Sequence, residues 1–411
     1  MRVLIYQQFH PGHHYVFIRP LLPALLEVTS DVVVALTAAG RASIQFEHNL
    51  APFVDRVVFD PSVPDGHKRV IQNERLRLHT DLRDAVRKHR PDYVLVPSGD
   101  PHTTVMGAFR FLGAGGLPGR RPGEVGIHGG RATSARQLEA TLRGWIDAVK
   151  LCTGGWKRMH FMNFLYRERL ATKCRGLLRS SVVMPNPVEP NARLGKAESR
   201  ERLGLPKHGR LFGIAGVIDY RKAVAELVTA FSKATNDPDD RIVLAGGLHE
   251  SHRRTIDRHH RDLVDSGRLI IRDEFLDVTT YQTMLSAFDV VCVPYPGFTG
   301  ASSVLMEGLS AGRPVLTDAE GWCHEIVTRF GAGWSGDVRD ETAFAATIRV
   351  ALSECESYRE NEATSRFLEF NTPENYTASW LRGVTAFAGL KQPRPPLEWS
   401  WVLHGAPIAT P

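Results

Sequence analysis

Short apolar runs alternate with helix-period segments along nearly the whole chain, and the alternation stops once and restarts. In the first series RVLIYQ, SDVVVALT, PDYVLVPS, EVGIHGG and RMHFMNF read as strands. YVFIRPLLPALLEV, NERLRLHTDLRDAVRKH, TVMGAFRFLG and ARQLEATLRGWIDAVKLC read as the helices between them. This rhythm predicts a doubly wound parallel α/β domain. In SSVVMPNPVEP, Pro185, Pro187 and Pro190 then make a stiff extended segment that ends the series.

The second series follows a polar helix, GKAESRERLGL. Its strands are RLFGIAGV, DRIVLAGG, RLIIRDEF, DVVCVPY and RPVLTD; its helices are AVAELVTAFSKA, SHRRTIDRHHRDLVDSG, TTYQTMLSAF and SSVLMEGLSAG. DETAFAATIRVALSE and ENYTASWLRGVTAFAGL close the chain before a Pro-rich tail. The expected organisation is one Rossmann-like domain over 1–187, a second over 188–375, and a helix and tail over 376–411 that return to the first. Two such halves facing across a cleft place a ligand beyond the carboxyl ends of the strands, and that rule selects the loops to read.

With 411 residues and 43% hydrophobic composition, the chain suffices for two cores. No run of eighteen apolar residues is present, so no membrane-spanning helix is expected. MRVLIYQQF lacks a long apolar region and a small-residue cleavage site and reads as a strand. Cys152, Cys174, Cys292, Cys323 and Cys355 are odd in number, far apart in sequence and never in a Cys-x-x-Cys pair. They argue for a reducing, cytoplasmic setting and against structural zinc or a disulfide framework.

Several familiar motifs are missing. The loop after the first strand, QQFHPGHH, carries the single Gly12 and no Gly-x-Gly-x-x-Gly. There is no phosphate-loop lysine motif and no Gly-x-Ser-x-Gly elbow. Asp237-Pro238-Asp239 spells a metal-binding triplet, but in a polar loop without neighbouring ligands. His249, His252, His259 and His260 have metal-like spacing on a strongly polar helix, which more often means a wet surface. No metal site is expected.

PYPGFTGASSVLMEGLSAGRPVL, from Pro294 to Leu316, is more informative. Gly300, Ala301, Ser302 and Ser303 feed a helix. The first N–H groups of a helix lack internal partners and its dipole favours an anion there; small side chains let a phosphate approach. Ser302 or Ser303 would cap. Glu307, one turn in, would repel a phosphate that touched it but suits a diol such as ribose. Two readings stand: Glu307 accepts sugar hydroxyls, or it points to solvent and favours the helix N-terminus.

In order and spacing these segments resemble the GT-B fold glycosyltransferases, specifically the retaining family 4 group. GVIDYRKAVAELVTAF is similar to that family's phosphate segment, LAGGLHE to its Gly-rich turn, and FDVVCVPY to the strand before its donor site. SSVLMEGLSAGRPVLTDAEGWCHEIV is similar to its donor-binding helix and the strand beyond, and VVMPNPVEP to its interdomain linker. The resemblance is strong over about 185–335 and weaker before it.

The resemblance implies transfer of a sugar from a UDP- or GDP-linked donor to an acceptor hydroxyl, with no metal or other cofactor. It implies that Glu307 holds the ribose, that Lys222 meets the diphosphate and that Gly216 makes the turn beside it. Ser302, Ser303, Val304 and Leu305 supply the loop and helix start that face the phosphates, and Thr299 and Gly300 lie by the sugar. Gly12 approaches the phosphates from the first domain. His128 matches a histidine near the transferred sugar and, with Lys222, is the catalytic candidate. Phe275 lies in the segment that flanks the base. Asp100, after VPSG, and His13 are candidates for the acceptor side.

Two positions depart from the family. Thr299 replaces an acid eight residues before Glu307, and Val217 replaces an Arg after Gly216. Arg221 is the cation at hand to replace the latter. Either the sugar and acceptor differ from the common case, or turnover is reduced or absent. A non-catalytic nucleotide-sugar binder and a nucleotide-sugar epimerase of the same fold are the alternatives.

The net charge is +6, and from 101 to 180 about fourteen Lys/Arg face four Asp/Glu. This excess fits a lipid-linked or anionic acceptor, or a solvated basic face. No reader motif accompanies it, so nucleic acid is not expected as a partner. In ATLRGWIDAVKLCTGGWKRMHF, Leu142, Trp145, Ile146 and Val149 lie at helical spacing beside Arg143, Lys150, Lys157 and Arg158. That segment either touches the inner face of a membrane or faces the core.

Overall fold

The computed structural model describes residues 1–10, 14–65, 72–100, 102–103, 117–128, 137–298 and 300–405. The chain forms two compact units, Met1–Pro187 with Phe370–Pro411, and Val188–Glu369.

The first unit holds a seven-stranded sheet: β1 Arg2–Tyr6, β2 Asp31–Thr37, β3 Val58–Val63, β4 Tyr93–Val96, β5 Gly123–Ile127, β6 Arg158–Phe161 and β7 Ser181–Val183. The order is β3-β2-β1-β4-β5-β6-β7, and every recorded pairing is parallel. Leu4 sits opposite Val33 on one side and Val94 on the other. Val3 to Tyr6 and Tyr93 to Val96 are fully buried. A parallel sheet covered on both faces needs continuous apolar strands, which is why RVLIYQ and YVLV are legible as sequence.

The segment YVFIRPLLPALLEV is two helices, His14–Ile18 and Leu21–Val28, not one. Pro20 disfavours a helical Arg19 and offers no N–H. Pro23 is tolerated because it lies in the first turn of the second helix, where N–H groups have no partner in the helix. The expected helix TVMGAFRFLG lies outside the described residues. Ser181–Val183, expected only as stiff extended chain, forms the edge strand β7 before Pro185. At the other edge, β3 contains Pro61, a residue that sheets accept at edges. RMHFMNF stops as a strand at Phe161 because Asn163 caps the next helix, accepting from the Tyr166 N–H at 3.1 Å.

The helix Pro373–Ala388 packs within this unit. Trp380 stacks on His160 at 3.9 Å and 13°. His160 Nε2 donates to Glu124 at 2.7 Å, and the Tyr93 hydroxyl donates to the other Glu124 oxygen at 2.6 Å. Glu124 and His160 are fully buried. Burial pushes the His160 pKa down, against the pull of Glu124, so the imidazole is neutral. The helix Gln137–Thr153 buries Ala148 and Leu151 but exposes Trp145 and Ile146, so these two do not face the core. No helix of the described residues is long and apolar enough to cross a membrane.

The second unit holds β8 Leu211–Ala215, β9 Arg241–Ala245, β10 Leu269–Arg272, β11 Val290–Val293, β12 Val315–Asp318 and β13 Gly333–Gly336. Their order is β10-β9-β8-β11-β12-β13, again with parallel pairings. Phe212, Ile214, Leu244, Val290 and Leu316 meet Leu227, Phe231 and Phe344 in the core. The buried Asp289 carboxylate accepts from Lys196, Arg200 and the Leu211 N–H, and so ties the helix Lys196–Leu203 to the sheet. The polar run SHRRTIDRHHRDLVDSG is two helices, Glu250–His259 and Arg261–Asp265, broken at His260.

Candidate functional site

In the second sheet the strand order reverses between β8 and β11, the switch point at whose carboxyl edge open α/β sheets bind their ligands. The loops after both strands carry residues singled out in the sequence.

The loop after β8 begins at Gly216, where φ is +85°. Its N–H donates to Ala245 O at 2.9 Å, and the Ile218 N–H donates to Gly247 O at 2.9 Å, so the loop leans on the turn after β9. Asp219 organises the rest of the loop. Its carboxylate accepts from the Arg221 N–H at 3.0 Å, from Nε at 2.9 Å and from Nη2 at 2.6 Å. Burial works to raise the Asp219 pKa, but these bonds outweigh it and hold it below the ordinary value. Arg221 is thereby folded onto its own loop. The Asp219 carbonyl accepts from His252 Nε2 at 2.8 Å; His249 caps the helix that carries His252, accepting from the Ser251 N–H.

Lys222 is buried, with 6% exposure. Its ammonium has one long contact, 3.4 Å to Ala215 O, and lies 5.5 Å from the centre of the Tyr295 ring. Burial lowers its pKa to about 8. A desolvated cation with few donors satisfied is well prepared for an anion. The next residue, Ala223, donates its N–H to Pro294 O at 2.9 Å and joins this loop to the one after β11.

That second loop ends in the helix Ser303–Ser310. Ser302 is the cap: its hydroxyl accepts from the Leu305 N–H at 3.3 Å, and its carbonyl accepts from the Met306 N–H at 3.4 Å. The N–H groups of Ser303 and Val304 have no acceptor among the described residues. Gly300 lies ahead of them, and a side chain there would meet the Phe298 ring at 2.8 Å.

Glu307 does not simply point to solvent. It is half-buried, and its Oε2 accepts from the Tyr281 hydroxyl at 2.5 Å. Burial raises its pKa, and the Tyr281 bond pulls it part of the way back. Tyr281 stands on the helix Val278–Ala287, whose cap Asp277 accepts from the Thr280 N–H. The Tyr295 hydroxyl is buried and has no hydrogen-bond partner among the described residues. Phe275, after β10, is 93% exposed.

The structure therefore brings together Gly216, Lys222, Ser302, Ser303, Val304 and Leu305 on two joined loops, with Glu307 one turn further along. Gly12, His13 and Thr299 lie outside the described residues. Asp100 and His128 belong to the first unit, where they meet each other: the His128 N–H donates to Asp100 Oδ2 at 3.1 Å, and His128 Nε2 donates to Pro97 O at 2.7 Å. Sequence reasoning missed Asp219, Tyr281 and Tyr295, and it read His252, which bonds the Asp219 carbonyl, as part of a wet surface. Of the three missed, only Tyr281 left a signal. It shares a helix face with Met284 and Leu285, and a tyrosine turned inward must find a partner for its hydroxyl.

No curated protein matches the chain in sequence. Solved structures do match in fold. The Anabaena protein HepE in complex with UDP is 14% identical with a TM-score of 0.63, over 94% of this chain and 100% of that one. Sucrose-phosphate synthase from Thermosynechococcus elongatus is 15% identical with a TM-score of 0.65, over 95% and 99%. A UDP-forming α,α-trehalose-phosphate synthase from Burkholderia vietnamiensis is 13% identical with a TM-score of 0.61, over 94% and 100%. The chain thus has the α/β GT-B architecture with two doubly wound Rossmann-like units, and its residues 195–366, which hold Gly216, Lys222, Tyr281 and Glu307, match the family of glycosyl transferases group 1.

Proposed function

We propose that the protein transfers a sugar, with retention and without a bound metal, from a nucleoside-diphosphate sugar to an acceptor hydroxyl. The observation that carries this reading is the joined pair of loops at the β8/β11 switch point. It combines a desolvated Lys222, two helix N–H groups without acceptors and a carboxylate one turn away. As the glycosidic bond breaks, the diphosphate gains charge. The Ser303 and Val304 N–H groups and Lys222 would stabilise that charge without reorganising. Glu307, one turn along the helix, would accept ribose hydroxyls. A UDP-linked donor is favoured over a GDP-linked one by the UDP complex of HepE. In the first unit, Asp100 and His128 would act on the acceptor side. The exposed Trp145 and Ile146, within the basic stretch, support peripheral contact with a membrane that carries a lipid-linked or anionic acceptor.

One observation favours a second reading, a nucleotide-sugar binder without turnover. Arg221, the candidate to replace the cation missing at Val217, is paired with Asp219. The experiment is a thermal-shift panel of UDP, GDP, ADP and TDP and their sugars against wild type and Glu307→Ala. A ligand at a hundred times its Kd adds about 2.7 kcal/mol. UDP should stabilise the wild type and not the variant; no shift with any nucleotide rejects both readings. Release of UDP from a UDP-sugar, with an α-linked product and no loss in EDTA, separates transferase from binder.

A further inference from the structure

A carboxylate that binds ribose must be ionised and correctly turned, and Glu307 meets neither condition alone. Its half-buried position favours the neutral acid. Two titratable groups face it from the neighbouring elements. Tyr281 comes from the helix Val278–Ala287 and Tyr295 from the loop after β11. Of the two, Tyr281 alone hydrogen-bonds Glu307 among the described residues. Its hydroxyl occupies Oε2 and leaves Oε1 without a hydrogen bond from any described residue. The same side chain reaches the phosphate loop: a Cβ built on Gly216 would lie 3.5 Å from Tyr281 Cε2.

We propose that Tyr281 is a positioning residue of the donor site, which holds Glu307 ionised and turned so that Oε1 accepts a ribose hydroxyl of a nucleoside diphosphate. Its ring meanwhile backs the Gly216 turn that leads to Lys222. The inference rests on the donor-site reading above. It also revises the simplest picture of Glu307, in which both oxygens stand equally open to a diol. One is committed to the protein, and its tyrosine decides at what pH the other works as an acceptor.

Nucleotide binding weakens as pH falls through the Glu307 pKa, because a protonated carboxyl no longer accepts with full charge. Removing the tyrosine hydroxyl leaves burial unopposed, so the weakening starts at higher pH. The test is calorimetric titration of UDP into the full chain from pH 5.5 to 8.5, for wild type, Tyr281→Phe, Glu307→Gln and the double variant. The ionisation of UDP itself is common to all four and cancels in the comparison.

We expect Tyr281→Phe to bind UDP about tenfold more weakly at neutral pH, with its acid limb moved upward. In the Glu307→Gln background, the same substitution should change neither affinity nor pH profile. Replacement of Tyr281 by 3-fluorotyrosine keeps the shape and strengthens the donor, so it should move the limb downward; this variant serves if Tyr281→Phe melts below the assay temperature. Wild-type affinity and an unmoved limb in Tyr281→Phe overturn the proposal, and so does an equal loss in both backgrounds, which would make the tyrosine merely structural. If wild type itself binds no UDP while folded, the donor-site reading falls, and this inference with it.

Discussion

Gly246 lies against the backbone of Gly216: a Cβ at Gly246 would stand 2.0 Å from the Gly216 carbonyl oxygen. The Gly216 N–H answers with its bond to Ala245 O at 2.9 Å. The two turns are thus fixed to each other main chain to main chain, and the loop that carries Lys222 starts from that junction.

Gly246→Ala should therefore damage the site from outside it. Residue 246 has φ of +126°, a region that costs a side chain about 1–3 kcal/mol before any clash. The clash is with a carbonyl, which no rotamer change relieves. The neighbouring Gly247 is the control, since a Cβ there meets nothing within 4 Å. Melting and UDP titration of the two variants should show a lower Tm and weakened binding for Gly246→Ala and near wild-type values for Gly247→Ala. Equal behaviour would mean that the turn after β9 does not hold the phosphate loop.

Lys222 sets function against stability. Its pKa falls from 10.5 unfolded to about 8 folded, a penalty of about 3 kcal/mol on the buried charge. Between pH 8 and 10.5 the unfolded chain holds more protons at this site than the native one. Stability from this residue therefore rises with pH through that window, and the full penalty is present below it. Lys222→Met should make the ligand-free protein more stable at pH 7, by about 1–3 kcal/mol, and should abolish UDP binding. A diphosphate beside the ammonium raises its pKa, so wild type should take up protons on binding UDP near pH 8. Calorimetry in buffers of different ionisation enthalpy reads that uptake, and it should vanish in the variant.

The unequal legibility of the sequence has a physical pattern. The central strands were readable because parallel sheets buried on both faces demand unbroken apolar runs, as in Val3–Tyr6 and Val290–Val293. The edges were not. In β3 Pro61 interrupts the run, and GWSG in β13 has almost no strand propensity. Gly333 is needed there because a Cβ would meet the Val315 carbonyl at 2.0 Å. The site shows the same division. Loop and helix-start chemistry around Ser302–Glu307 is local and can be read in order. Asp219 on Arg221 is equally local, but it has the form of an ordinary polar turn. Tyr281 on Glu307 spans 26 residues and two helices, and only a fold brings those partners together.

The buried carboxylate of the first unit predicts another glycine effect. A Cβ at Gly383 would fall 1.6 Å from Glu124 Oε1, and Glu124 is held in place by Tyr93 and His160. Glutamate would normally swing aside, but here it must break two hydrogen bonds in the core to do so. Gly383→Ala should cost about 1–3 kcal/mol, read by urea unfolding. His160 adds a pH term. Its folded pKa lies below the ordinary 6.5, so the unfolded chain binds the proton first as pH falls. The stability of this unit should therefore drop as pH falls below about 6.5. A His160→Gln variant should lose part of that slope.

The sulfurs of Cys152 and Cys174 lie 2.9 Å apart, although 22 residues separate them in sequence. All five cysteines are free thiols, and Cys292, Cys323 and Cys355 are buried. Only the half-buried pair is placed to cross-link. Burial first, and then the neighbouring thiol, push the Cys152 pKa up to about 12, so little thiolate exists at pH 7. Oxidation should be slow at neutral pH and should quicken steadily toward pH 9, since the thiolate is the attacking species. With hydrogen peroxide each pair gives up two hydrogens and the oxidant leaves as water. Non-reducing peptide mapping should then find the 152–174 linkage and no other. The closed loop should stabilise the first unit by about 3 kcal/mol on the chain-entropy account. A Cys174→Ser variant should show neither the linkage nor the gain. A gain that persists in that variant would place the effect of the oxidant elsewhere in the chain.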